Sequence, residues 1–291
     1  MQYVAFIADI KRSRKYQTDK RAYLQVLMED SLAFLNVLFR GGIAKNVVFS
    51  AGDEVQGLFY DLPTAYLYYR SLDLLMGPHV LRGGLGVGAW DVRVESGTST
   101  SQDGEAYHRA RSAIYDADKN KRFDLVFCLG ENYGDFLTTL ADHSLGIAKM
   151  RTMAQNEIAL AIELFYPLLI AARDSAAYKE EVLYCRRRLL GTLAQNPARY
   201  RKRAGLIEKL AGSNVSDVHD YWEPLELERS LMRKEPFHIY QGDIVGASYA
   251  LAGLSGMARQ GLDRVLVQGR IAQERNAAAF FIYCALQRFG R

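Results

Sequence analysis

Cysteine and histidine are scarce in this chain, and long apolar runs are missing. Cys128, Cys185 and Cys284 stand far apart in apolar or helical surroundings. An odd number at such spacing is neither a disulfide framework nor a zinc-ligand pattern, and it suits a reducing compartment. None of the five histidines has a partner at metal-ligand spacing, and no Ser-His-Asp or Cys-His arrangement is legible. The longest greasy stretch, Ile158 to Ala172, is interrupted by Glu163 and Pro167. It is too short to cross a bilayer and reads as a core helix, so no membrane partner is expected. The chain opens straight into a strand pattern without a basic-then-apolar leader, and a cytoplasmic location is the expectation. A net charge of +4 is too small to name a partner. With 291 residues, 49% hydrophobic and 24% charged, the chain has room for one large or two ordinary globular domains.

What is present begins with Tyr3 to Ile10, a near-continuous apolar run of the kind that forms a strand buried on both faces. Asp9 lies inside it. A buried carboxylate without a partner is costly, so Asp9 needs a cation or a hydrogen-bond network. Further on, Val47 to Phe49 and Val55 to Tyr60 read as two strands joined by Ala51-Gly52-Asp53-Glu54, a tight hairpin with paired carboxylates at its tip. If Asp9 and Asp53 met at about 4 Å, their repulsion would be on the order of 4 kcal/mol at an effective dielectric near 20. A divalent ion between them reverses its sign. Two carboxylates, waters and substrate phosphates are the usual surroundings of Mg²⁺.

The other motifs surround these two. Lys11-Arg12-Ser13-Arg14-Lys15 follows the first strand directly, and is either a phosphate-binding loop or a solvated one. Leu24, Leu27, Met28, Leu32, Leu35, Leu38 and Phe39 mark the buried face of a helix from about residue 19 to 40, closed by Gly41-Gly42. A second helix is expected over about 63–76. In Gly83-Gly84-Leu85-Gly86-Val87-Gly88 the glycines alternate at period two. That is a strand with one bare face, leaving room for a helix or a nucleotide, and not the turn of a dinucleotide fingerprint. Asp103 is read as the cap of a helix packed through Ala106, Ala110, Ala113, Ile114 and Ala117, with Arg111 on a neighbouring face. Residues 123–129 read as a further strand. From about residue 131 the pattern is almost entirely helical, including two helices over about 243–259 and 262–288.

The ordered set Phe6-Ile7-Ala8-Asp9-Ile10, a long helix, a Gly-Asp-Glu hairpin and Arg82 to Gly88 resembles the palm domain of class III nucleotidyl cyclases, a fold shared with the GGDEF diguanylate cyclases. The N-terminal half is most similar to the SatD-like family of bacterial proteins. The resemblance implies an α+β fold: a ferredoxin-like palm over residues 1–130, with an antiparallel sheet and helices, followed by a mainly helical domain over 131–291. It also implies a metal-dependent nucleoside triphosphate site. Asp9, Asp53 and the Ile10 backbone carbonyl would hold Mg²⁺ or Mn²⁺. Lys11, Arg12, Ser13, Arg14, Gly52 and Glu54 would line the nucleotide, and Arg111, with Asp9 and Asp53, would complete a catalytic set. The chain departs from the cyclase pattern elsewhere. Phe49 and Ser101 stand where cyclases read the purine, and His108 and Ser112 where they place the transition-state Asn and Arg, with Arg111 one position early. Against GGDEF the hairpin lacks the first Gly and the Phe. Metal and triphosphate binding, in a cyclase or in a nucleotide-sensing regulator, is therefore the expectation, rather than a particular reaction.

A second expectation concerns residues 173–203, which hold nine Lys or Arg against three acidic residues. Such a helical segment reads either as a solvated face or as a DNA contact through phosphates, giving a regulator with a silent palm. Ala204 to Val218 is the candidate for a helix-turn-helix, and the C-terminal helices for closing the domain or forming a homodimer face.

Overall fold

The computed structural model describes residues 2–130, 132–171, 175–196, 205–212, 222–227 and 241–289. The first half is built on a five-stranded, mainly antiparallel sheet. Its strands are β1 (Tyr3–Ile10), β2 (Ile43–Ala51), β3 (Glu54–Phe59), β4 (Leu81–Gly88) and β5 (Leu125–Cys128), in the order β2-β3-β1-β4-β5. β1 is central and pairs antiparallel with β3 and β4; only β5 joins in parallel. Two helices make the crossovers, α1 (Thr18–Leu38) from β1 to β2 and α2 (Leu62–Met76) from β3 to β4. Asp61 caps α2 by accepting the Thr64 N–H at 2.7 Å, and Pro63 sits in its first turn, where no backbone donor is missed.

The period-two pattern of β1 sorts its side chains onto two faces. Val4, Phe6, Ala8 and Ile10 face the core formed with α1 and α2. Tyr3, Ala5 and Ile7 face α3 (Glu105–Asn120) together with Leu58, Ala106, Ala110 and Ile114. The bare face of β4 is what lets α3 lie so close. A Cβ built at Gly86 would stand 2.2 Å from the Ala110 nitrogen, and one at Gly84 2.4 Å from the Ala110 carbonyl. The space left by the glycines is thus filled by the helix. α3 starts one residue later than Asp103 would place it. Its N-cap is Gly104, at φ 148°, and the Asp103 carboxylate accepts the Gly104 N–H without capping the helix.

The second half supplies α4 (Tyr133–Lys149), α5 (Met153–Phe165), α6 (Ala176–Ala194), α7 (Leu206–Ala211), α8 (Gln241–Ser255), α9 (Arg259–Gln268) and α10 (Ile271–Phe289), with a two-residue parallel pair, β6 (Leu168–Leu169) and β7 (Leu225–Glu226). The helix expected over 262–288 is two helices, interrupted at Gly269-Arg270, where Arg270 has φ 49°. No helix among the described residues is long and apolar enough to cross a membrane.

One apolar cluster extends from Val4 to Ala285 and takes in both halves of the chain. Tyr66 of α2 stacks on Phe281 of α10 at 3.8 Å. A fully buried ion network crosses the same boundary. Arg70 of α2 grips Glu274 of α10 at 2.6 and 2.7 Å and Glu163 of α5 at 2.9 Å, and Arg275 meets Glu163 at 2.9 Å. Such a network is strongly destabilised when one member is removed, because the partner charge stays buried.

Candidate functional site at the end of the central strand

β1 ends beside the β2–β3 hairpin. Gly52 has φ 64°, and Asp53 is not among the positive-φ residues; that is the type II′ pattern, whose first central position favours glycine. The register places Glu54, not Asp53, directly opposite Asp9, with Arg82 opposite Asp9 on the other side. Directly opposed residues of neighbouring strands share a face, so Asp9, Glu54 and Arg82 all point to the α3 side.

There each carboxylate already has an arginine. Arg82 donates to both Asp9 oxygens at 2.7 and 2.8 Å and also pairs with Asp118 of α3. Arg111 donates two hydrogen bonds to Glu54, one at 2.9 Å, and the Ser50 hydroxyl donates a third at 2.7 Å. Burial pushes the Glu54 pKa up, but the bonds from Arg111 and Ser50 and the Arg111 charge outweigh it, so the pKa lies below the ordinary value. Asp9, Glu54, Arg82, Arg111 and Asp118, with Ser112, Ile114 and Tyr115, line a concavity of about 420 Å³.

Asp53 opens into a different concavity, on the α1 side, of about 230 Å³, lined also by Ile10, Ser13, Arg14, Tyr16, Arg21, Leu24, Gln25 and Gly52. The side chains of Asp53, Arg14 and Arg21 make no hydrogen bond or ion pair among the described residues, and a Cβ at Gly52 would meet open space. Arg12 is likewise unpaired and sits in the left-handed region at φ 54°. The residues read from the sequence as one metal site therefore fall into two neighbouring concavities. Ile10, Ser13, Arg14, Gly52 and Asp53 share one, whereas Asp9, Glu54 and Arg111 share the other.

Lys11 lines neither cavity. Its ammonium donates to Asp124 at 2.7 Å, and Lys149 of α4 reaches the other Asp124 oxygen at 2.9 Å. Burial raises the Asp124 pKa, but the two lysines more than offset it and hold the group below its ordinary value. Lys11 thus pins the loop after β1 to the start of β5 and to the helical half. Sequence reading missed Arg21, Arg82, Asp118, Asp124 and Lys149. Only Arg82 had a local signal, an arginine heading the glycine strand.

The basic segment is only partly a surface. Arg186 is fully buried, with its guanidinium 4.3 Å from the centre of the Phe165 ring, and Arg188 pairs with Asp30 at 2.6 Å. Lys179 and Arg187 are exposed, while Arg173, Arg199, Arg201, Lys202 and Arg203 lie outside the described residues, as does much of Ala204 to Val218.

Residues 3–133 match the model of the SatD family. The SatD-like segment thus takes in the whole five-stranded sheet, α1 to α3 and the site just described. No curated protein and no solved structure matches the chain.

Proposed function

We propose that the SatD-like segment is a palm-type unit that binds a nucleoside triphosphate together with Mg²⁺ or Mn²⁺ in the α1-side cavity, and that it senses the nucleotide without turning it over. One observation carries the reading: the cavity joins the unpaired guanidiniums of Arg14 and Arg21 to the unpaired carboxylate of Asp53 at a glycine turn. Arginines without partners suit phosphate oxygens. A carboxylate beside bound phosphates suits them only if a cation lies between. The strand order β2-β3-β1-β4, with antiparallel neighbours and α1 and α2 as crossovers, is the βαββαβ arrangement and supports the palm reading.

The donor set favours one kind of cation. No group of three or more His, Cys, Asp or Glu among the described residues could hold an ion by itself. A resident ion is poorly served by that. Mg²⁺ arriving with a polyphosphate is well served, because it keeps waters and takes one or two carboxylates. Asp53 and the Ile10 backbone would hold it from the α1 side. Bound there, the cation supplies neutralisation of phosphate charge. Ser13, Arg14 and Arg21 would grip and orient the phosphates. Arg111 supports binding over turnover, since Glu54 holds it by two hydrogen bonds on the other side of the hairpin.

The test is a set of melts of wild type and Asp53→Asn, each with and without Mg²⁺-nucleotide. A ligand at a hundredfold excess over its Kd stabilises the wild type by about 2.7 kcal/mol. In the variant this gain disappears, and stability without ligand changes by no more than about 0.5 kcal/mol, because Asp53 has no partner to lose among the described residues. A large loss of unliganded stability with the ligand gain retained would sink the proposal.

A further inference from the structure

We infer that this site, granted the reading above, selects its ligand by the polyphosphate and not by the base, so that any ligand with a Mg²⁺-bound triphosphate end is accepted. The cavity beside Asp53 holds about 230 Å³. Pockets that enclose a ligand the size of a nucleotide run from roughly 300 to 1,000 Å³. The concavity encloses only part of a nucleotide, and the lining decides which part: Ser13, Arg14 and Arg21 line it, and a guanidinium binds phosphate oxygens in preference to a neutral ring.

The base then lies outside this concavity. Base selection needs buried polar groups that a wrong base would leave unpaired. In this cavity the base-capable groups are Gln25 and Tyr16. Gln25 is exposed and free to rotate toward water, so a mismatched base costs it nothing. One face of Tyr16 is covered by the Lys20 ammonium, 4.3 Å from the ring centre. Across the hairpin the larger concavity offers no buried unpaired reader. Its charged groups are closed on one another as Arg82 with Asp9 and Asp118, and Arg111 with Glu54. Its Tyr115 is 66% exposed, so a mismatched base would leave that hydroxyl to water.

The experiment is calorimetric titration of the full chain with ATP, GTP, CTP, inorganic triphosphate and AMP, all in Mg²⁺. The four triphosphates are expected to bind within about threefold of one another, and AMP at least about a hundredfold more weakly, for lack of the phosphates the arginines grip. Arg21→Ala should weaken all four by a common factor, about tenfold or more, and Gln25→Ala should leave the ATP-to-GTP ratio unchanged. A tenfold preference among the nucleotides, or failure of inorganic triphosphate to bind where ATP does, overturns the inference while leaving the site in place. Absence of Mg²⁺-dependent binding by every ligand overturns the site and the inference together.

Discussion

Replacing Asp73 by asparagine should stabilise the protein at alkaline pH and hardly at all in acid. Asp73 lies in the last turn of α2, is 4% exposed, and has one carboxyl oxygen without a hydrogen-bond partner. Burial raises its pKa from 3.8 to about 7. Lys149 and Lys11 oppose the rise, while the negative charges of Asp124 and Glu274 add to it. Because the folded chain holds this proton more tightly than the unfolded chain, the group's contribution to stability is full below about pH 3.8 and is lost as the pH climbs to about 7. At about 1.4 kcal/mol per pH unit, the loss between pH 5 and pH 7 is on the order of 3 kcal/mol. Asparagine has nearly the same shape and no charge to bury. Urea unfolding of both proteins at pH 5, 6, 7 and 8 cancels every other titrating group. The advantage of the variant should grow by on the order of 3 kcal/mol from pH 5 to pH 7 and then level off. A difference that stays flat with pH would mean that the lysines keep Asp73 ionised throughout, and would refute the argument from burial.

Gly86→Ala should destabilise by about 3 kcal/mol in the same assay, because its Cβ would stand 2.2 Å from a backbone nitrogen of α3 and 2.3 Å from a backbone carbonyl oxygen, and neither is the tip of a flexible side chain. No loss, or the small gain that alanine brings at an unobstructed strand glycine, would mean that α3 shifts freely on β4. Arg70→Met should cost about 3 to 5 kcal/mol, leaving Glu274 and Glu163 short of a guanidinium in the core. The loss should appear as one cooperative transition, since the network ties α2 to α5 and α10; two separate transitions would show that the halves unfold independently.

The sequence by itself determined the features that depend on local pattern. The apolar run of β1 specifies a buried strand and leaves Asp9 conspicuous within it. Gly52 between two β-rich segments specifies the hairpin, since its positive φ strongly favours glycine. The period-two glycines of β4 and the alanine stripe of α3 are each legible alone, and their match across the interface follows from complementary shape. Only the tertiary structure decided how the charges pair. Moving one residue along a strand turns a side chain to the opposite face, so the register, which local composition does not contain, put Glu54 and not Asp53 opposite Asp9. Lys11 reaches across 113 positions of sequence to Asp124, and Arg82 is consumed by Asp9 and Asp118, so neither charge is available where a count along the chain would place it. Arg186 stands in a run of three arginines that reads as a solvated face, yet the fold lays it over Phe165 at the end of α5, in the core. Ion pairs form between whichever opposite charges the packing brings within a few ångströms. That is why the candidate anion site became recognisable only as the place where the fold left two arginines and an aspartate without partners among the described residues.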